Sequence, residues 1–175
     1  MKKLKIEELN RVTPEEYKSL DKLPLVVVLD HIRSLNNVGS VFRTSDAFRV
    51  NKILLCGITA VPPDAEIHKT ALGAEDSVDW RYYEDTKKAV LDLQSEDYIV
   101  LAIEQVRGSR MLDTLVLDKN KKYAVVLGNE VKGVQQEVVD ICNGCVELPQ
   151  YGTKHSLNVS VTAGIVIWDF FKQLQ

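Results

Sequence analysis

Nothing in the 175 residues approaches the ~20 consecutive apolar positions that cross a bilayer. The longest apolar runs, Leu25–Leu29 and Gly164–Trp168, suit the core of a strand or a helix. The opening MKKLKIEELNR is basic at first, but acids follow where a secretory signal needs its apolar stretch. A cytoplasmic protein with no membrane partner is expected. Cysteine is scarce: three, an odd number, fit a reducing compartment better than a disulfide framework. Cys142 and Cys145 form a CxxC, but there is no second pair, and His31, His68 and His155 are scattered. No metal is expected, and Asn143-Gly144 reads as a turn between a helix and a strand. GxGxxG and GxxxxGK[ST] are both missing, which leaves conventional dinucleotide and nucleoside-triphosphate sites unsupported. Positive charge is not in excess either. With 22 basic and 25 acidic residues, net −3, a whole-surface grip on nucleic acid is excluded, whereas a local basic patch is not. No repeat, low-complexity tract or Gly/Ser linker divides the chain, so a single domain over residues 1–175 is expected, with 1–23 as a short helical lead-in.

What remains is an ordinary globular composition, 45% hydrophobic and 27% charged. A chain of this size can bury roughly 70% of its unfolded surface. After Pro24, LVVVLD is a continuous β-branched run that reads as a strand buried on both faces. A helix is expected from Val38 to Phe48 and a strand from Lys52 to Ile58. Pro62-Pro63 break the chain before a short helix at Thr70–Ala74 and a strand at Val78–Tyr82. Glu84–Leu93 reads as a helix, and Tyr98–Ile103 and Tyr123–Leu127 as buried strands. A helix GVQQEVVDIC starts at Gly133, Cys145–Leu148 makes a short strand, and a helix closes the chain from Ser156 to Phe171. Solid apolar strands alternating with helices predict an α/β fold, a mostly parallel sheet with helices on both faces. The closing helix is apolar around most of its circumference, which points to a subunit interface or to burial beneath a loop of the same chain.

In such sheets ligands bind beyond the carboxyl ends of the strands. Three of those loops carry unusual residues. DHIRSLNNVGSVFRTSDAF places Asn36, Asn37, Gly39, Arg43, Thr44 and Ser45 at the start of a helix. LGNEVKG holds Gly128, Asn129, Glu130 and Gly133. LPQYGTKHSLNVS holds Gly152, Lys154, His155, Ser156, Asn158 and Ser160. Singly, each has a plain structural explanation: Asn36, Asn37 or Ser156 as a helix cap, and the glycines as turns. His155-Ser156 lacks the GxSxG setting of a hydrolase nucleophile.

In this order and spacing, the three segments together resemble the SpoU (TrmH-like) family of the SPOUT class of RNA ribose 2′-O-methyltransferases. Asn37, Gly39, Arg43 and Thr44 match the family's N-x-G-x-x-x-R-T. Gly128, Glu130 and Gly133 match G-x-E-x-x-G. Ser156 to Val161 with Ala163 and Gly164 match S-L-N-V-S-V-x-A-G. The likeness runs from about Pro24 to the C-terminus. It implies a deep trefoil knot in the C-terminal part of the sheet, an exception to the rule against knots. It also implies S-adenosylmethionine as methyl donor and a homodimer with sites at the subunit interface. Donor contacts are implied for Glu104, Leu127, Gly128, Asn129, Gly133, Leu148, Ser156 and Leu157. Catalytic roles are implied for Arg43, supported by Asn37, with Glu130, Ser156 and Asn158. The chain departs from the family at Leu148-Pro149-Gln150, where many members have Ile-Pro-Met, which touches only a pocket-lining contact.

Transfer to a ribose hydroxyl is an in-line displacement that must remove the hydroxyl proton as attack proceeds. Arg43 could serve as a base, at a cost of about 7–9 kcal/mol to neutralise it near pH 7. Alternatively it stays charged, clamping a phosphate and stabilising the developing alkoxide, which the energetics favour. The residues before Pro24 are too few for a separate RNA-binding domain. The catalytic domain itself is therefore expected to grip RNA, through cations such as Arg33, Arg107 and Lys154. A compact tRNA is preferred as the substrate, with ribosomal RNA next. The rival from another class is a non-catalytic RNA-binding module, against which the intact Asn37, Arg43, Glu130, Ser156 and Asn158 argue.

Overall fold

The computed structural model describes residues 1–175, the side chain of Ile6 excepted. Seven parallel strands form one sheet in the order β3-β2-β1-β6-β4-β7-β5. They are β1 (Leu23–Asp30), β2 (Val50–Cys56), β3 (Trp80–Tyr83), β4 (Tyr98–Ile103), β5 (Arg110–Met111), β6 (Lys122–Leu127) and β7 (Gly144–Glu147). β1, β4 and β6 are central and almost wholly buried, as their unbroken Val, Ile and Leu content requires. Pro24 cannot donate to a ladder, and the β1–β2 register slips between Leu23 and Val26 to accommodate it.

Alternation along β1 divides the core. Leu25, Val27 and Leu29 face a cluster with Val38, Phe42, Ile67, Val166 and Phe170, while Val26 and Val28 face one with Ala89, Val90, Leu93 and Val138. Helices α2 (Leu35–Ala47), α3 (Ala65–Ala71) and α7 (Val159–Leu174) cover the first face. Helices α5 (Thr86–Ser95) and α6 (Gln136–Val139) cover the second. The lead-in holds α1 (Pro14–Ser19), started by a Thr13–Glu16 capping box; Tyr17 on it is buried against α2.

Several boundaries differ from those the sequence suggests. α2 begins at Leu35 because Ser34, rather than Asn36 or Asn37, caps it, its hydroxyl accepting from Asn37 N–H. The expected helix over Thr70–Ala74 is divided: Thr70 and Ala71 end α3, Ala74 opens α4 (Ala74–Ser77), and Leu72 and Gly73, at φ +54° and +93°, break the chain between them. The ten-residue helix expected from Gly133 shrinks to α6. Gly133 has φ +69° and pairs with Asn129, so no right-handed helix passes through it. β5 was missed because two residues carry no period. Asn143 joins α6 to β7, its side-chain oxygen accepting from Val100 N–H and its own N–H bonding to Val100 O, both at 2.8 Å. The CxxC therefore brackets a structural turn, and burial pushes the Cys142 thiol up to about 12.

β6 and β7 insert on either side of β4 after β5 has formed the far edge. The knot implied by the resemblance would be tied in that interleaved segment. α7 buries Val159, Ala163, Val166, Ile167, Phe170 and Leu174 within its own chain. Ile167 and Phe170 are thus core. Leu157, Val161, Ile165 and Trp168 remain 41–51% exposed, one stripe at helical spacing along α7 and its approach. No helix of the described residues is long and apolar enough to cross a membrane, and none of their His, Cys, Asp or Glu side chains group in threes that could hold a metal.

Candidate active site

A cavity of about 550 Å³ opens beyond the carboxyl ends of β4, β6 and β7. Ile103, Leu127 and Glu147 form its floor, and its walls come from residues 104–105, 128–133 and 148–158. Its size lies within the range of small-molecule sites.

The 128–135 wall is held by its own hydrogen bonds. Asn129 and Gly133 exchange both backbone hydrogen bonds, at 3.1 and 2.8 Å. The Asn129 side-chain oxygen accepts from Val131 and Lys132 N–H, and its amide donates to His31 O at 2.7 Å. Glu104 accepts from Val134 N–H at 2.9 Å and from Gln105 N–H at 2.9 Å. Asp30, fully buried at the end of β1, accepts from Gln135 N–H, from the Gln135 amide and from the Thr86 hydroxyl. Glycine at 128 is forced by this loop itself: a Cβ there would lie 2.1 Å from Gly133 C and Val134 N. The residue lines the cavity, but its need for glycine is the chain's approach to itself rather than to a ligand.

Glu130 connects this wall to α2. Its carboxylate accepts from Arg33 N–H at 2.9 Å, Ser34 N–H at 3.0 Å and the Asn37 amide at 3.0 Å. These donors surround the start of α2, where the helix dipole favours an anion. Partial burial by itself would raise the Glu130 carboxyl, but the bonds from Arg33, Ser34 and Asn37 hold it below the usual carboxylate range. Asn37 in turn accepts from the Asn158 amide at 3.2 Å, and Asn158 caps α7 by accepting from Ser160 and Val161 N–H. Glu130, Asn37 and Asn158, far apart in sequence, thus form one chain of hydrogen bonds. Gly39 serves the same frame. A Cβ there would lie 2.2 Å from Ile67 O and Thr70 Oγ1, so α2 and α3 pack with no space for a side chain.

The cavity collects all eight residues expected at a donor site: Glu104, Leu127, Gly128, Asn129, Gly133, Leu148, Ser156 and Leu157. Of the expected catalytic set, Glu130, Ser156 and Asn158 line it, and Asn37 stands behind Glu130. Arg43 does not join them. It is exposed on α2, six residues or about 9 Å of helix rise beyond Asn37, outside the lining. α2 and α7 run side by side in one direction, Asn37 meeting Asn158 and the Phe48 and Trp168 rings lying 5.5 Å apart. Arg43 lies about 120° round α2 from the Asn37–Phe48 side that meets α7, nearer the Gly39 side that packs on α3. Gln105, Glu147 and Thr162 also line the cavity and went unrecognised, since nothing in their local pattern distinguishes them from surface residues. Asp30 could have been noticed, as an acid closing an otherwise apolar strand.

The sequence profile of the SpoU rRNA Methylase family matches residues 24–168. The 23S rRNA (guanosine-2′-O-)-methyltransferase RlmB of Nitrosomonas europaea is 31% identical over 149 residues, 85% of this chain; the chain spans 56% of that protein's length. Among solved structures, an A. aeolicus TrmH/SpoU tRNA modifying enzyme superposes with a TM-score of 0.79 at 24% identity, over 91% of this chain and 79% of that one. An AdoMet-bound rRNA methyltransferase from Sinorhizobium meliloti gives 0.80 at 24% identity, over 94% and 62%. At that identity the structural likeness speaks for the fold. With the profile covering β1 through most of α7, and its three motifs meeting around one cavity, the chain belongs to the SpoU rRNA methylase family.

Proposed function

We propose that this chain is an S-adenosylmethionine-dependent RNA methyltransferase, a single domain that methylates a ribose 2′-hydroxyl of ribosomal RNA in the cytoplasm, acting as a homodimer. The observation that carries this reading is one cavity lined by the second and third motifs, with the first tied to them by the Glu130–Asn37–Asn158 bonds. The lining suits the donor. Ile103, Leu127, Leu148 and Leu157 offer apolar contact for a planar base, and the carboxylates of Glu104, Glu130 and Glu147 suit a molecule carrying positive charge. When bound, S-adenosylmethionine supplies an electrophilic methyl group on a positively charged sulfur.

The residues of the chain would do the rest. Leu127, Leu148 and Leu157 exclude water from around the reacting centre. Glu104 and Glu130, each fixed by N–H donors, keep their orientation without reorganising. The Ser156 hydroxyl, exposed on the cavity wall, is free to bond the substrate. Arg43, outside its own chain's cavity, would act as a charged two-pronged clamp on an RNA phosphate in a dimer formed through the Leu157–Trp168 stripe.

The sequence favoured tRNA as substrate. The names of the curated relatives turn that preference towards ribosomal RNA; the A. aeolicus enzyme, named for tRNA, is the observation that keeps tRNA as the second reading. Incubation with methyl-labelled donor and total RNA, followed by fractionation and mapping, tests this. Label on a 2′-oxygen of large-subunit ribosomal RNA is expected. Label in tRNA alone moves the substrate to the second reading, and label on a base, or none, overturns the assignment.

A further inference from the structure

The segment between β7 and α7 forms one side of the cavity yet is barely attached. Every residue from Gln150 to Asn158 is exposed, and the segment carries no helix or strand. It nevertheless supplies Gln150, His155, Ser156, Leu157 and Asn158 to the lining. Its C-terminal end is fixed where Asn158 bonds Asn37 and caps α7. Upstream of that, among the described residues, one hydrogen bond fastens it to the body of the protein: the Gln105 side-chain amide donates to His155 O at 2.7 Å. Gln105 lies two residues beyond the end of β4. Its own N–H is held by Glu104, which also holds Val134 N–H of the opposite wall.

We propose that Gln105 is a positioning residue that latches the 149–158 loop across the mouth of the donor cavity. This rests on the donor-site reading above. The latch spans the gap between two walls that share no other bond near that point. A loop so exposed, with no internal hydrogen bonding, samples open states cheaply, and each open state removes Ser156 and Leu157 from the cavity. A side chain that closes it lowers the ordering cost the ligand otherwise meets on binding. The backbone carbonyl of His155 is the acceptor, so the latch requires a donor at residue 105 and tolerates change in the His155 side chain.

The test uses Gln105→Leu, which keeps the bulk and loses the donor, and Gln105→Glu, which turns a carboxylate towards the carbonyl. Gln105 is exposed, so both variants should melt as the wild type does. Two readouts are taken. The first is the rate of tryptic cleavage after Lys154, the loop residue beside the latch, which follows the population of the open loop when opening is fast. The second is affinity for S-adenosylmethionine by calorimetry, with KM for the donor measured alongside. Loss of one such bond shifts the opening equilibrium by about two- to tenfold, which predicts faster cleavage at Lys154 by up to that factor, unchanged cleavage elsewhere, and donor affinity weaker in proportion to the fall in the closed population. Cleavage at the wild-type rate in folded Gln105→Leu overturns the latch. Faster cleavage with unchanged donor affinity overturns its positioning role. If the wild type itself binds no donor, the donor-site reading fails, while the cleavage arm still decides whether Gln105 holds the loop.

Discussion

Asn37 is the joint where the three motifs meet, and replacing its amide with a carboxylate tests that joint by charge alone. In Asn37→Asp the oxygen facing Asn158 is retained. The donor facing Glu130 becomes an anionic oxygen 3.0 Å from a carboxylate. Two unit charges at that distance repel by about 1.4 kcal/mol in bulk water and more at lower dielectric; the exposure of Glu130 favours the smaller figure. Repulsion of that size corresponds to about one pKa unit. Glu130 keeps its charge because of Arg33 and Ser34 N–H, so the introduced carboxyl takes the proton, its pKa raised above the ordinary aspartate value. The sign follows from a raised folded-state pKa in an acid: the penalty is absent below the unfolded pKa and appears as pH rises through the folded one. Compared with Asn37→Ala, Asn37→Asp should melt about 3–6 °C lower at pH 7.5 and no lower at about pH 3, below the unfolded pKa. Scanning calorimetry of the two variants across that range measures it. A difference that is equal at both pH values, or absent at 7.5, refutes the contact between Asn37 and Glu130.

Gly39→Ala should destabilise the protein by about 1–3 kcal/mol, read by urea unfolding, although helix propensity alone predicts a gain of about 1 kcal/mol; the collision with Ile67 O decides the sign. Ile165→Glu combined with Trp168→Glu should leave the fold intact and yield monomer in sedimentation velocity, whereas Ile167→Glu or Phe170→Glu should unfold the chain, their side chains being fully buried. Arg43→Ala should bind the donor normally and transfer no methyl group to RNA in single-turnover assays. Arg43→Lys should be nearly as inactive, because lysine keeps the charge and loses the planar fork.

How much of this was legible in the sequence depended on whether the decisive interaction was local. β1, β4 and β6 were readable because solid β-branched runs suit strands buried on both faces, and the helices on both faces followed from them. The start of α2 was misplaced by a turn because Ser34, Asn36 and Asn37 are all good caps, and only the contact with Glu130, 93 residues away, commits Asn37 to another task. Gly128 and Gly133 were legible as special positions, though the reason was not. Their demands come from Val134 and Glu104, which tertiary folding brings in. α7 was legible as too apolar for one face, but which of its side chains face the core is set by its angle across the sheet, and composition does not fix that angle. The donor set was legible as a motif; Gln105 was not, because its role lies in a single bond to a distant backbone carbonyl.

The central claim is that the cavity beyond β4, β6 and β7 takes S-adenosylmethionine. Calorimetric titration of the protein with that compound tests it most directly, paired with Leu148→Arg, which fills the cavity with a charged side chain. The account predicts saturable binding at one site per chain in the wild type and none in the variant. No binding by the folded wild type, or equal binding by both proteins, would contradict it.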